Sequence, residues 1–200
     1  MHKLFSINEF NQKIKEQEEA TADKSAIRVA KFMDMHTQKL ENLKALTGRL
    51  PTEKEMFFLW TLKSFNAFTF IVYVIKHCGI INDLSLSTYS INDRILTSLV
   101  KWYDKGSIKN VNINISDSIK HRNPKIYDQL QSQIQNRNIS IDYTWNHSKI
   151  TLMRSNQNYF VVEGSGNFSE NAQHEQYLFA NDKQLYDFRR SCINSSPLTA

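Results

Sequence analysis

The chain has 200 residues, 40% of them hydrophobic and 12% aromatic, and a charged fraction of 22%. That length suits one compact domain, or one domain with an appendage, and argues against a multi-domain machine; the apolar content sets aside disordered and fibrous classes. Twenty-five Lys and Arg against twenty Asp and Glu leave a formal charge of +5, which favours an anionic partner such as nucleic acid.

From Ile7 to about Leu50 the residues are rich in Lys, Glu, Gln and Ala, with apolar side chains at mixed three and four spacing, the pattern of helix. Gly48 and Pro51 close it, so residues 1–50 are expected to form a helical extension and residues 51–200 the main domain. After Pro51 short apolar runs alternate with helical stretches. Met56 to Leu62 predicts a buried strand, Ser64 to Cys78 a helix, Leu84 to Ser90 a strand, and Asn92 to Lys105 a capped helix. Val111 to Ile115 alternates as a strand, and Asn123 with Pro124 starts a helix through about Gln135. This repeated order implies a parallel or mixed sheet covered by helices on both faces.

The last quarter differs. Ile139 to Trp145, Ser148 to Met153 and Tyr159 to Glu163 are three strands in quick succession, the last two joined by a polar turn over 154–158. A strand at Gln176 to Phe179 and a helix from Asp182 to about Cys192 follow. Most of the aromatic residues of the first strand and helix, Phe57, Phe58, Trp60, Phe65, Phe68 and Phe70, read as core, with a base-stacking platform as the lesser alternative.

No apolar run approaches the ~18 residues that span a bilayer, and Cys78 and Cys192 make no paired or zinc-type spacing. The expectation is a reduced, soluble, cytoplasmic protein without membrane contact.

The chemistry concentrates in the last quarter. His147 and Lys149, two residues apart on an extended segment, point to one face and can share an anion. A return strand ending in Gly164, Ser165, Gly166 and Asn167 brings a hydroxyl, a carboxamide and unhindered amides beside them, donors suited to phosphate oxygens. Glu175, on the next segment, could orient the imidazole. Polar side chains at the carboxyl ends of the first two strands, Thr61 and Ser64 and then Thr88, are candidates to line the same pocket. The basic cluster Lys120, His121, Arg122 and Lys125 could line a nucleic-acid path, and His77, His121 and His174 lack a following Lys and glycine-rich partner set.

These residues resemble the signature of the phospholipase D superfamily, an HxK element followed on the returning strand by GSxN and then a glutamate. The matching residues are His147-Ser148-Lys149, Gly164-Ser165-Gly166-Asn167 and Glu175, and the similarity covers about Met56 to Cys192. The resemblance implies a mixed, mostly parallel sheet flanked by helices. It also implies attack by His147 on a phosphodiester to give a phosphohistidine, with Lys149, Ser165 and Asn167 stabilising the charge and no metal or other cofactor required. A chain with one HxK motif implies a homodimer that pairs two copies of the site. The expected function is a nuclease acting on DNA or RNA; the alternative is an inactive module that binds nucleic acid or a protein partner. One position departs from the pattern: Arg154 stands where the signature has an aspartate.

Overall fold

The computed structural model describes residues 43–45, 47–61, 66–169 and 174–194. All of them fall within the second of the two units into which the chain divides, Leu43–Ala200. The expected helical extension lies outside the described residues except at its end, where Leu43 is fully buried and the Thr47 hydroxyl lies 3.2 Å from that of Tyr73.

Seven strands form one sheet: β1 (Glu55–Thr61), β2 (Ile81–Thr88), β3 (Ile108–Ser116), β4 (Ile139–Thr144), β5 (Ile150–Ser155), β6 (Asn158–Gly164) and β7 (Glu175–Asn181). Their spatial order is β1-β7-β6-β5-β2-β3-β4. The helices are α1 (Phe68–Cys78), α2 (Asp93–Asp104), α3 (Ile119–Arg122), α4 (Pro124–Gln133) and α5 (Lys183–Asn194).

The sheet is mixed, as expected, but it is not mostly parallel. Only β2–β3 and β3–β4 run parallel; β2–β5, β5–β6, β6–β7 and β1–β7 are antiparallel. Parallel neighbours need long crossovers, and here only α2 and the α3–α4 pair supply them. The second half returns through short connections, one of them a turn at Asn156 with φ of +53°, and such connections enforce antiparallel pairing. The first strand also crosses to the far edge instead of lying beside the second.

Local chemistry sets the helix starts. The Asn92 side chain accepts from the Ile95 amide at 2.9 Å, Asn123 from Ile126 at 3.3 Å, and Asp182 from Leu185 at 2.8 Å, each satisfying a first-turn donor that has no helical partner.

Strand alternation divides the side chains between two faces. One face carries Leu84, Leu86, Val111, Ile113, Phe160, Val162, Tyr177 and Phe179, all buried. Phe70 of α1 packs on Tyr177 and Phe179 with ring centroids 5.2 Å from each. The other face is covered by α5 around Leu152, Val161 and Ala180, with Tyr186 and Ile193 from the helix. Beyond α5 that face turns polar: the Asn112 carboxamide donates to Asp142 at 3.1 Å, and Asn114 accepts from Thr144 at 2.8 Å. The alternating third strand thus has apolar side chains toward the helices and asparagines toward the open face.

Candidate active site

The segment between β4 and β5 is held by Asn146. Its carbonyl oxygen accepts from the Ser148 amide and hydroxyl, both at 2.8 Å. Its amide nitrogen donates to the Ser87 hydroxyl and to the Asn114 side chain, again at 2.8 Å. Ser87 and Ser148 meet at 2.5 Å. This network ties the two residues that flank Ser148 to β2 and β3, and it fixes where their side chains emerge.

His147 is exposed, and Lys149 reaches it: the ammonium lies 3.2 Å from Nδ1 and donates to the His147 carbonyl at 2.7 Å. The residues are together as the spacing predicted, although they precede β5 and are not part of it. Tyr89, just after β2, packs its ring on the imidazole at 4.7 Å between centroids. The Arg122 guanidinium covers that ring at 3.9 Å and donates to the Tyr89 carbonyl at 2.9 Å. Arg122 of the basic cluster therefore stands beside the histidine, one aromatic ring removed from it.

The glycine-rich segment joins this group through the backbone. The Gly164 amide donates to the Lys149 carbonyl at 3.3 Å, and the Ser165 amide to the Gln176 carbonyl at 3.1 Å. The exposed Ser165 hydroxyl donates to the Glu175 carboxylate. Both glycines are required by close approach: a Cβ at Gly166 would lie 3.1 Å from Cζ of Tyr177, and one at Gly164 would lie 3.0 Å from Cε1 of the same ring. Downstream, Phe168 bridges Ile91 in parallel and the Asn92 amide donates to the Phe168 carbonyl at 3.0 Å. That contact sets Asn167 against Thr88, whose hydroxyl lies 3.4 Å from the Asn167 side-chain oxygen.

Glu175 is buried, 4% exposed. Its backbone is clamped by Thr61, whose hydroxyl donates to the Glu175 carbonyl and accepts from its amide, each at 3.1 Å. The carboxylate acts electrostatically on two neighbours. Partial burial pulls the Lys149 ammonium below its usual range, and Glu175 opposes that shift. Burial and then the same carboxylate push the Tyr177 phenol upward.

His147, Lys149, Gly164, Ser165, Gly166, Asn167 and Glu175 thus gather at one end of the sheet. Thr61 and Thr88 belong to the gathering as supports: both are buried, with hydroxyls engaged by Glu175 and by Asn167. Ser64 lies outside the described residues. Sequence reasoning missed Asn146 and Tyr89; an Asn two residues before a Ser amide is an ordinary turn signal, whereas nothing local marks Tyr89 as a neighbour of His147. Arg154 sits away from the cluster in register with Asp83 of β2, bonded to it from Nε at 2.5 Å. His77 contacts the Tyr73 carbonyl at 2.9 Å within α1. Among the described residues no group of three or more His, Cys, Asp or Glu is gathered to hold a metal ion, and no helix is long and apolar enough to cross a membrane.

An open mixed α/β sheet thus carries an imidazole, an ammonium, a hydroxyl, a carboxamide and a carboxylate at one end, and the donors among them are of kinds that suit an anion. No family model matches the chain, and no curated protein matches it. Among solved structures the fold is similar to a polyphosphate kinase from Porphyromonas gingivalis, at 15% identity and a TM-score of 0.50 over 73% of this chain and 27% of that one. A phosphatidylserine synthase from Haemophilus influenzae Rd KW20 matches at 11% identity and 0.49, over 74% of this chain and 39% of that one. TrmBL2, an archaeal chromatin protein whose structure shows a novel mode of DNA binding, matches at 8% and 0.47, over 98% and 70%. This chain spans about a quarter of the polyphosphate kinase, and the likeness shows a shared fold.

Proposed function

We propose that the chain is a phospholipase D-like phosphodiesterase, specifically a nuclease acting on DNA or RNA, with an appended segment over residues 1–50 and the catalytic fold over 51–200. The observation that carries this reading is the backbone junction of Lys149 with Gly164. It sets the imidazole–ammonium pair and the glycine-rich donors on adjoining strand ends, and the Ser165–Glu175 contact lies at the same place.

The chemistry follows from the atoms present. Lys149 now holds Nδ1 of His147; an incoming phosphate draws the ammonium to its own oxygens, because a dianion-like transition state is the stronger acceptor. Nε2 then attacks phosphorus, the P–N bond forms, and the bond to the leaving oxygen breaks as that oxygen takes a proton. Lys149, Ser165 and Asn167 donate to the non-bridging oxygens while five ligands surround phosphorus. Water next attacks the phosphohistidine, releasing a phosphomonoester and restoring the imidazole. The acid and base is a second imidazole, His147 of the partner subunit in a homodimer, since a single chain supplies one HxK element. No metal enters these steps, and the proposed setting is cytoplasmic.

The test is incubation of purified protein with labelled plasmid in EDTA beside His147→Ala. Cleavage that survives EDTA and disappears in the variant supports the reading; undiminished cleavage by the variant overturns it. A second reading is favoured by Arg154, which fills the signature's acidic position and is paired with Asp83: an inactive module that binds nucleic acid or a protein partner. Plasmid binding without cleavage by the wild type selects it.

A further inference from the structure

The aromatic residues of β1 do not all enter the core. Phe57 packs edge-on against Phe179 at 6.4 Å, but Phe58 and Trp60, which alternation puts on the opposite face of the strand, point outward and are 81% and 60% exposed. β1 is the edge strand, and α5 packs on β5 and β6, so the outer face of β1 has no helix over it among the described residues. Trp60 is stacked on His174, 23° between planes, which orients an indole that solvent would otherwise leave free. Two large aromatic side chains on one exposed face carry a hydration cost that a ligand would remove.

These two side chains wall an open cavity of about 700 Å³ that also includes Lys149, Gly164, Gln176 and Arg189. Arg189 is neutralised by a bidentate pair with Glu163, at 2.5 and 2.9 Å. The positive end of the cavity is therefore Lys149, the residue that also touches His147. Aromatic wall and phosphate-receptive end are parts of one space.

We propose that this cavity is a base-binding subsite for single-stranded nucleic acid, in which Phe58 and Trp60 stack the nucleobase next to the phosphate held by His147 and Lys149. The proposal rests on the phosphodiesterase reading and adds the class of substrate. Side chains two residues apart on a strand emerge ~6.8 Å from each other, about twice the ~3.5 Å of a van der Waals ring contact, so one planar base fits between them or across both. Such stacking tolerates any base, in keeping with a wall that offers rings and little hydrogen bonding. A duplex keeps its bases inside and cannot use it.

The experiment measures anisotropy of labelled oligothymidylate and of an abasic oligomer of equal length, both titrated with full-length His147→Ala protein, which binds without turnover. Oligothymidylate should bind at least about fivefold more tightly than the abasic strand, the lower end of base–aromatic stacking. Trp60→Ala and Phe58→Ala, each in that background, should remove the preference and leave abasic affinity unchanged; Trp60→Phe should retain it. Equal binding of both oligomers, an equal loss for both in the alanine variants, or a change of mass by light scattering in those variants overturns the proposal, the last marking the face as a contact between copies. Binding of neither oligomer overturns it too. Wild-type cleavage of the same oligothymidylate and of plasmid in EDTA, read in parallel against His147→Ala, reports on the phosphodiesterase reading by itself, so the two can fail separately.

Discussion

Gly166 rests on the ring of Tyr177, close enough that a Cβ there would lie 3.1 Å from Cζ and nearer still to the phenol oxygen. The glycine-rich segment is thus pressed onto β7, and this contact sets the depth at which Ser165 meets Glu175. Gly166→Ala should destabilise the fold by about 1–3 kcal/mol, as overpacking of a tight contact does, seen as a lower Tm. Tyr177→Phe removes the phenol oxygen and should recover part of that loss in the double variant. An alanine variant as stable as the wild type would mean that the segment sits farther from β7 than described.

Lys149 bears a cost of its position. Its ammonium is drawn below the usual lysine range by partial burial, against the pull of Glu175. The unfolded chain therefore binds this proton more tightly than the folded one, and between the folded value and the ordinary 10.5 stability rises with pH. The penalty is fully present below the folded value and is relieved as pH climbs toward 10.5. Lys149→Met should consequently match or exceed wild-type stability at neutral pH, with the advantage shrinking in alkali, while phosphodiester cleavage is lost. Urea titrations at neutral and alkaline pH check this; an advantage that grows with pH contradicts it.

Arg154 serves the sheet. Opposite Asp83 across β2 and β5, it forms a side-on pair, and the Asp83 carboxyl lies below its usual range because Asn110 and Arg154 outweigh the effect of burial. Restoring the signature's aspartate with Arg154→Asp would set two carboxylates face to face. The expected result is a loss of about 1 kcal/mol or more that deepens as pH rises from 3 to 7, without any gain in turnover. Asp83→Asn in the same chain should relieve the repulsion.

Much of the fold was legible. The helix starts at Asn92, Asn123 and Asp182 and the alternation of the third strand appear as read, because those signals are local: a side-chain oxygen reaching the third amide along, or a period of two. What was not legible depends on contacts distant in sequence. Strand direction required knowing that β1 pairs with β7, more than a hundred residues away, and the exposure of Phe58 and Trp60 followed from that edge position. A run such as MFFLWTL has the same composition whether one face or both are covered. In the site, His147, Lys149 and the glycine-rich segment were marked by spacing. The supporting roles of Thr61 and Thr88, the hub at Asn146 and the ring of Tyr89 emerge only when β2, β7 and the two loops meet.

The most direct test of the account is covalent capture at His147. Wild-type protein mixed in excess with a 5′- or 3′-labelled oligonucleotide, quenched in alkali where phosphohistidine survives, and mapped by peptide mass spectrometry should carry the phosphorylated fragment on the peptide containing His147. Label on another residue, or cleavage in EDTA with no covalent species while His147→Ala remains active, would contradict it.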